Sequence, residues 1–360
     1  MATCECDALG QPSYPEPIPR PHPFRSQTLP WSPVKHVVFA HRKLSFGGGE
    51  RVLIARTDAL GDLLISLPVQ ARILSRFPSA EIHWLVRSYS APLLQEHPDI
   101  TGVHLRTEGQ DLCALFRQID PQIVINLGHR DREVITAAKQ AGVPVRVARA
   151  RGLDQILAAT DLVWRGRYGS GRHEAMNTLD FLRPWGLDGG APEPPRLYLS
   201  EAERHQGELD LAGFKGPRLG IFLRGTGAGA HPSGAWWTAA QAMFSAQGWT
   251  PLILGPPELS GLPASDLRGL MARMRACDAI ISPSSGPAHM AAALEVPLVC
   301  LMGLRPNHTP DRWAPLGSGV QVVQYPPPEA DLSGGMDRLD PAVLLPHLQR
   351  LLQPQTRPGR

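Results

Sequence analysis

Short apolar runs alternate with amphipathic segments through most of the chain after residue 49. In the first half, apolar runs of strand length stand at residues 51–55, 81–86, 123–127 and 143–148. Apolar residues recur at helical spacing in residues 62–77, 91–96, 112–118 and 134–140. Strands that are apolar on both faces need helices on both sides of the sheet. The pattern therefore predicts parallel strand–helix–strand units.

The alternation starts again after a polar stretch at residues 196–216, in which Ser200 is typical of a helix start. Further strands are predicted at residues 218–223, 250–254, 279–282 and 298–301. Further helices are predicted at residues 236–247, 266–276, 286–294 and 341–352. We expect an α/β fold of two successive units, with any ligand in the cleft between them at the carboxyl ends of strands.

The chain of 360 residues divides into four predicted parts. Residues 1–48 include a proline-rich stretch, which excludes helix and central strand and favours an extended, solvated tail. We expect the first α/β domain at residues 49–212, the second at 213–338, and a C-terminal helix and tail at 339–360. This length allows each α/β domain a core of its own.

Charge and composition narrow the classes of partner and location. The net charge is only +3 and the basic residues are spread along the chain, so we expect no nucleic-acid partner. The five cysteines form no C-x-x-C pair, which argues against a disulfide framework or a structural zinc site. The most apolar stretch, residues 288–304, is interrupted by polar residues and proline, and the N-terminus lacks the apolar segment of a signal peptide. We expect a cytoplasmic protein.

The first candidate for chemistry is the segment RTDALGD at residues 56–62, which joins the opening strand to its helix. Gly61 allows a tight turn, and Asp62 follows it at the helix start. A carboxylate in that position either caps backbone N–H groups or faces the cleft as a general base. The spacing alone leaves both roles open.

The second candidate is the segment SPSSGPAH at residues 282–289, in which small and hydroxyl residues lead into a helix. The N–H groups around Ser285 and Gly286, with the positive end of the helix dipole, suit a phosphate group. Ordinary capping by serine is the alternative. Pro287 stands in the first turn, and His289 lies one turn into the helix, where a histidine is either structural or a contact for a charged ligand.

The third candidate is the glycine-rich loop that opens with Gly225, Thr226 and Gly227. Its sequence GTGAGA formally matches the dinucleotide fingerprint, but Pro232 follows closely and no acidic residue stands about 20 residues further on. A loop that lines another ligand is the preferred interpretation, with an oxidoreductase as the alternative. The chain contains no Walker A, H-E-x-x-H or G-x-S-x-G motif.

Three segments together resemble the heptosyltransferases of glycosyltransferase family 9. They are RVLIARTDALGDLLISLP at residues 51–68, FPSAEIHWLV at 77–86 and SSGPAHMAAAL at 284–294. Shorter similarities occur at residues 91–99, 252–258 and 312–317, and the order and spacing agree over about residues 50–325. The resemblance implies a GT-B architecture, in which two Rossmann-like domains face each other across a cleft.

The resemblance also implies a reaction and roles for residues. It implies an inverting transfer, without metal or other cofactor, from a nucleotide sugar, with an ADP-sugar favoured, to a glycan or glycolipid acceptor. It also allows a peripheral contact of the protein with the inner face of the membrane. Asp62 matches the general base of the family, and His289 matches a histidine of the second motif. Glu258 matches a carboxylate that lies near the nucleoside ribose, although a Glu258 that is only solvated is an equal alternative. The sequence contains no D-x-D metal motif.

The chain departs from the family at the donor site. Ser284, Ser285 and Gly286 stand where the family commonly has D-T-G, and the family lysine ahead of the tryptophan-containing helix is absent. Arg224 is the preferred substitute for that cation, with Arg305 and Arg312 as alternatives, although an exposed arginine at a strand end can also be without a role. Two function classes stay open: an active glycosyltransferase, and a degenerate member that binds a nucleotide or glycan without transfer.

Overall fold

The computed structural model describes residues 49–129, 131–164, 171–224, 231–303, 308–325 and 336–351. The predicted tail at residues 1–48 lies outside these ranges. All described residues belong to one compact unit. They form two parallel sheets with helices packed on their faces, so the predicted α/β class is confirmed. The domain boundaries at residues 49, 213 and 339 stay a prediction.

The first sheet has six parallel strands in the order β3-β2-β1-β4-β5-β6. The strands are β1 (Arg51–Ala55), β2 (Glu81–Val86), β3 (Gly102–Leu105), β4 (Ile123–Asn126), β5 (Val145–Arg149) and β6 (Asp161–Val163). The helices of this half are α1 (Leu60–Ser66), α2 (Pro68–Arg76), α3 (Leu112–Ile119), α4 (Glu133–Gln140), α5 (Leu153–Ala158) and α6 (Glu174–Leu179). Short 3₁₀ helices cover Ala91–Leu94 and Asp180–Trp185. Strand β4 is buried along its whole length, as its apolar run predicts.

The second sheet has five parallel strands in the order β11-β10-β9-β7-β8. The strands are β7 (Arg218–Ile221), β8 (Thr250–Ile253), β9 (Ala279–Pro283), β10 (Leu298–Met302) and β11 (Val320–Gln324). The helices are α7 (Glu201–Asp210), α8 (Gly234–Ala246), α9 (Pro257–Ser260), α10 (Leu267–Arg275), α11 (Gly286–Ala293), α12 (Pro310–Trp313) and α13 (Leu345–Leu351). Further 3₁₀ helices cover Met336–Arg338 and Pro341–Leu344. Helix α7 begins at a capping box formed by Ser200 and Glu203, so the helix start predicted at Ser200 is confirmed.

The structure corrects several predicted element boundaries. The single helix expected at residues 62–77 is two helices, because Pro68 has no N–H to donate and starts α2 instead of continuing α1. The predicted helix at residues 91–96 is a short 3₁₀ helix, and the one at 341–352 is a 3₁₀ turn followed by α13. Strands β3, β6 and β11 were missed. Each is an edge strand that is only partly buried, and its apolar pattern is correspondingly weak.

One apolar cluster joins the two halves of the molecule. Leu63, Leu64 and Leu67 of the α1–α2 region belong to the same buried cluster as Met290 and Ala291 of α11. Two further clusters lie in one half each, one under α3 and α4 and one under α8 and α13. Burial of apolar side chains on both helices fixes α1 against α11, which brings the loops before these helices together.

Candidate active site

Each sheet has one point at which its strand order reverses. In the first sheet it lies between β1 and β4, and in the second between β7 and β9. At such points the loops from the carboxyl ends of neighbouring strands run in opposite directions and leave a crevice for a ligand. The loop with Asp62 follows β1, and the segment with Ser284, Ser285 and Gly286 follows β9. Both predicted motifs therefore stand at the reversal point of their own sheet.

Asp62 lies in the first turn of α1 but does not cap the helix. The N-cap position is taken by Ala59, which forms no side-chain cap. Oδ1 of Asp62 instead accepts a hydrogen bond of 2.8 Å from Nη2 of Arg56. The Asp62 side chain is still 21% exposed. Of the two roles left open by the sequence, this geometry disfavours capping and leaves a partly exposed carboxylate that a cation orients.

Arg56 is a site residue that the sequence pattern did not identify. Its side chain is 1% exposed, and its guanidinium donates to the carbonyl oxygen of Leu127 as well as to Asp62. Oδ2 of Asp58 lies 3.5 Å from Nε of Arg56. A buried cation fixes the orientation of the carboxylates beside it. An arginine at the end of an apolar run, followed closely by two aspartates, was the signal that could have identified it.

His129 and Arg149 continue this polar network along the carboxyl edge of the first sheet. The backbone N–H of His129 donates to Oδ2 of Asp58 over 3.1 Å, and Nη1 of Arg149 donates to Nδ1 of the His129 ring. Burial, together with the nearby charges of Arg56 and Arg149, lowers the pKa of His129 to about 4. The ring is therefore neutral at neutral pH, which suits its role as an acceptor for Arg149.

The start of α11 leaves backbone donors available. Ser285 is the N-cap residue, but its hydroxyl donates to the carbonyl oxygen of Pro283 over 2.9 Å and does not cap the helix. The amide of Ser284 is used in the sheet, where it donates to Leu301. The amides of Ser285 and Gly286 donate to no residue in the described part of the chain, and Pro287 has no amide hydrogen. Two donors at a helix N-terminus are thus free for an anion.

Helices α1 and α11 meet at their first turns through two glycines. A Cβ atom on Gly61 would lie 3.2 Å from Cδ2 of His289 and 3.9 Å from Cα of Gly286. A Cβ atom on Gly286 would lie 3.4 Å from Cβ of Leu60. The close approach needs small residues at both positions. It places the Asp62 turn directly beside the start of α11.

His289 is buried in this contact between the two helices. Burial, with smaller contributions from the neighbouring His173 and His308 rings, lowers the pKa of His289 to about 3. His289 is therefore a neutral ring at neutral pH. Of its two predicted roles, a cationic contact for a phosphate is disfavoured, while a neutral hydrogen-bonding or packing role remains.

Two further connections join the halves beside His289, and neither was predicted. Nε2 of His173 donates to the carbonyl oxygen of Ala314 over 2.8 Å, while Nδ1 caps α6. The carboxylate of Glu174 is buried and lies 3.4 Å from Nη2 of Arg312. Arg312 was one of the alternatives for the missing family lysine, but the structure pairs it with Glu174. No local sequence signal marks this pair, because its two residues stand 138 positions apart in the chain.

The other predicted binding residues lie at the carboxyl edge of the second sheet or outside the described ranges. Arg224 is exposed and follows β7, and Glu258 is exposed in the first turn of α9, after β8. Gly225, Thr226, Gly227 and Arg305 lie outside the described residues. The structure therefore brings Gly61 next to Gly286 and His289, and Asp62 and Ser285 are the chain neighbours of the two glycines. It does not show a contact between them and Arg224 or Glu258.

Two kinds of feature are absent from the described ranges. No group of three or more histidine, cysteine, aspartate or glutamate side chains there is arranged to hold a metal ion. No helix in the same part of the chain is long and apolar enough to span a bilayer.

Comparison with known proteins bears on this site. Residues 259–333 match the model of glycosyltransferase family 9 (heptosyltransferase). A Haemophilus influenzae protein named "Putative glycosyltransferase" is 26% identical over 321 residues, which cover 78% of this chain and 90% of that protein. The resemblance to glycosyltransferase family 9 is confirmed. A second relative, lipopolysaccharide heptosyltransferase 1 of Pseudomonas aeruginosa, is 24% identical over 289 residues, covering 70% of this chain and 78% of the relative.

A solved structure supports the same assignment at the level of the fold. The ADP-heptose lipopolysaccharide heptosyltransferase II of Escherichia coli superposes with a TM-score of 0.71 at 19% identity. The similarity covers 85% of this chain and 99% of that one. The two parallel sheets thus form the GT-B arrangement that the resemblance implied, and the predicted fold class is confirmed.

Proposed function

We propose that this heptosyltransferase-like protein is an inverting, metal-independent glycosyltransferase. Its donor would be a nucleotide sugar, ADP-linked and with heptose as the first sugar to test, and its acceptor a glycan or glycolipid. The names of the relatives support the reaction class, and the absence of a D-x-D motif supports metal independence. A cytoplasmic location and a part in lipopolysaccharide or other cell-envelope glycan synthesis belong to the same proposal.

Asp62 is the general base of this proposal. It takes the proton from the acceptor hydroxyl as that oxygen attacks the anomeric carbon, and the bond from that carbon to the nucleoside diphosphate breaks. Arg56 supports the role because it holds Oδ1 of Asp62 from the buried side. The 21% exposure of the Asp62 side chain leaves room for the hydroxyl. Attack from the face opposite the leaving group inverts the anomeric centre.

The start of α11 stabilises the leaving diphosphate. Its two available amides, on Ser285 and Gly286, point donors at the site without reorganisation, and the helix dipole adds positive potential. Ser284 and Pro287 shape the approach, and the neutral ring of His289 lines the same turn. We assign the remaining charge on the diphosphate to Arg224, in place of the absent family lysine.

The nucleoside end of the donor is assigned from the sequence alone. Glu258 would accept hydrogen bonds from the ribose hydroxyls, and the loop of Gly225, Thr226 and Gly227 would let its backbone approach the donor closely. These four residues lie after β7 and β8 in the chain, as expected for a pocket at the carboxyl edge of the second sheet.

One observation carries the proposal. Gly61 approaches His289 and Gly286 so closely that the turn with Asp62 adjoins the start of α11. The turn that carries the Asp62 carboxylate in the first half thereby adjoins the helix start that carries free amides in the second. A base and an anion-binding helix on opposite sides of one crevice are the two parts that displacement of a diphosphate by a hydroxyl requires.

Release of nucleotide from ADP-, UDP- and GDP-sugars, in the presence of candidate acceptors, tests the proposal. We expect turnover with an ADP-sugar and a loss of about 10²- to 10⁴-fold in Asp62→Asn. Asp99→Asn, at an exposed position on the surface, is the matched control and should keep full activity. Full activity in Asp62→Asn would remove this residue as the base.

Calorimetry distinguishes the alternative function, a degenerate family member without transfer. The altered donor-site sequence and the pairing of Arg312 with Glu174 favour this alternative. Tight binding of a nucleotide sugar without turnover in any acceptor mixture would support it. Absence of binding by every nucleotide sugar would contradict the donor assignment and favour the alternative in the form that binds a glycan.

A further inference from the structure

His129 stands at the point where the strand order of the first sheet reverses. It follows β4, while the loop with Asp62 follows β1, and the order reverses between these two strands. The backbone N–H of His129 donates to Oδ2 of Asp58 over 3.1 Å, and Arg56 contacts both Asp58 and Asp62. The histidine therefore borders the place that the proposed function gives to the acceptor hydroxyl.

Side-chain hydrogen bonds hold the backbone around His129 in place. Oδ1 of Asn126, the last residue of β4, accepts from the backbone N–H of Gly128 over 3.1 Å, and Nδ2 of Asn126 donates to the carbonyl oxygen of Asp131 over 2.8 Å. The Thr57 hydroxyl donates to Oδ2 of Asp131 over 3.3 Å, which ties this segment to the loop after β1. A ring on a backbone fixed in this way can bind a ligand without reorganisation.

The contact with Arg149 fixes the tautomer of the His129 ring. A guanidinium carries only donors, so Nδ1 of His129 accepts from Nη1 of Arg149 and carries no hydrogen. Burial and the charges of Arg56 and Arg149 lower the pKa of His129 to about 4, and the carboxylates of Asp58 and Glu174, which act in the opposite direction, do not outweigh them. The ring is therefore neutral at neutral pH. A neutral imidazole has one N–H group, which must then be on Nε2.

The Nε2–H group of His129 is available to a ligand. It donates to no residue in the described part of the chain. The side chain is only half-buried, and its Nε2 atom keeps contact with solvent. The two nearby cations, Arg56 and Arg149, are matched in number by the carboxylates of Asp58 and Asp62. An anion would therefore lose its water without a net attraction in return, whereas a hydroxyl oxygen can accept from Nε2 at little cost.

We propose that His129 binds the acceptor by donating from Nε2–H to the oxygen of an uncharged sugar hydroxyl. Arg149 is then a positioning residue, because it holds the ring in the tautomer that places the hydrogen on Nε2. The identity of the ligand as the acceptor rests on the proposed function. The contact adds a requirement for a second hydroxyl group, near the one that Asp62 deprotonates, and thereby selects among acceptors.

Nitrogen NMR of protein with isotope-labelled histidine measures the tautomer without donor or acceptor, so the result is readable even if transfer fails. The ring signals of His129 are identified by their loss in His129→Asn. We expect a protonated Nε2, an unprotonated Nδ1 and no titration between about pH 8 and 5. Arg149→Met removes a neighbouring cation and should raise the pKa of the ring toward its ordinary value of about 6.5. A protonated Nδ1 in the unchanged protein, or a ring that titrates near pH 6.5 there, would overturn the proposal.

The methyl glycosides of mannose, glucose and galactose probe the hydroxyl contact, with inorganic phosphate as the charged comparison. We expect a saturable shift of the His129 Nε2 signal with at least one glycoside and none with phosphate. A shift with phosphate alone would overturn the assignment of an uncharged ligand. No shift with any glycoside would overturn the contact itself.

Kinetics with an acceptor that supports nucleotide release tests the same contact during transfer. The side chain of His129→Asn keeps an oxygen near the position of Nδ1 but has no donor at the position of Nε2. The acceptor KM should therefore rise about three- to tenfold, while the donor KM stays within about twofold of its value. His129→Gln, whose amide reaches the position of Nε2, should recover most of this loss.

The matched control is His205→Asn, which changes an exposed residue of α7 and should keep both KM values. Thermal unfolding checks that every variant folds. An unchanged acceptor KM in His129→Asn, or an equal rise of donor and acceptor KM, would overturn the proposal. A glycoside shift without turnover under any condition would contradict the proposed transfer and leave the His129 contact supported.

Discussion

Arg56→Met removes the positive charge that lies between the candidate base and Asp58. Methionine has a similar length and no charge, so it fills the space of the side chain while the ionic contacts are lost. The guanidinium donates to Oδ1 of Asp62 over 2.8 Å and to the carbonyl oxygen of Leu127, and lies 3.5 Å from Oδ2 of Asp58. The variant leaves these acceptors close together without their cation.

The size of the effect follows from burial. Removing one partner of a buried ion pair costs about 3–5 kcal/mol, because the remaining charge stays out of water. Asp62 keeps 21% and Asp58 keeps 11% of its side-chain surface exposed, so solvent relieves part of that cost. We expect the free energy of unfolding to fall by about 2–3 kcal/mol in Arg56→Met. Arg56→Lys keeps the charge but loses the forked geometry, and should lose about 1 kcal/mol.

A double-mutant cycle with Asp62→Asn assigns the cost to the contact between these two residues. The neutral amide of the asparagine needs no cation, so Arg56→Met should cost about 1–2 kcal/mol less in the Asp62→Asn background. Urea unfolding, followed by tryptophan fluorescence and circular dichroism, gives the four free energies. The argument from the 2.8 Å contact is wrong if the losses of unfolding free energy in Arg56→Met and in Asp62→Asn sum to within about 0.5 kcal/mol of the loss in the double variant. Arg56 would then not act through Asp62.

Three further predictions concern pH and packing. Hydrogen bonding to Arg268 lowers the pKa of Glu203 from 4.5 to about 2, so the unfolded chain binds a proton at this group before the folded chain does. As the pH falls from 4.5 to 2, the free energy of unfolding should therefore fall by about 1–2 kcal/mol through this group. Glu203→Gln should flatten that part of the pH profile measured by urea unfolding. Burial lowers the pKa of His289 from 6.5 to about 3, so this histidine binds a proton in the unfolded chain first. As the pH falls from 6.5 to 3, the free energy of unfolding should therefore fall by about 1 kcal/mol per pH unit through this group, and His289→Gln should remove that contribution. Helix α7 crosses α10 at Gly207, where a Cβ atom would overlap the backbone carbonyl of Ala272. Gly207→Ala should therefore lower the free energy of unfolding, measured by heat or urea, by about 2–3 kcal/mol.

Each of these variants has a control in the same chain. Glu201→Gln and His205→Gln change exposed residues of α7 and should leave the two pH-dependent parts of the profile as they are. Gly213→Ala adds its Cβ in open space and should leave the free energy of unfolding within about 0.5 kcal/mol of the unchanged value. If Gly207→Ala is equally harmless, the helices can separate without cost and the packing argument is contradicted. Unchanged slopes in the Glu203 and His289 variants would contradict the pKa assignments.

The sequence was sufficient for the central strands and for the motifs. Residues 51–55 and 123–127 are apolar on both faces, and only the centre of a parallel sheet buries such a run, so β1 and β4 followed from the pattern. The motif with Asp62 and the motif with Ser285 and Gly286 each follow such a strand, so the sequence places both at the carboxyl edge of a sheet. The local sequence predicts these strands because a strand that is buried on both faces must consist of apolar residues.

The structure decided everything that depends on partners far apart in the chain. The sequence left Asp62 as either a cap or a base, and the buried guanidinium of Arg56 decided against the cap. The edge strands β3, β6 and β11 pair on one side only, so their residues carry a weak apolar pattern and stand out only once their neighbours are in place.

The sequence by itself determined the class of fold, two parallel α/β units, and the places where a ligand could bind, because burial and turn formation act on neighbouring residues. Only the tertiary structure joined Gly61 to His289, paired Glu174 with Arg312 and exposed Leu153 and Leu157 together. The first two of these contacts depend on how the two sheets and their helices pack against each other. A local pattern of apolar and polar residues does not predict that packing, because the same predicted strands and helices are compatible with many relative positions of the two sheets.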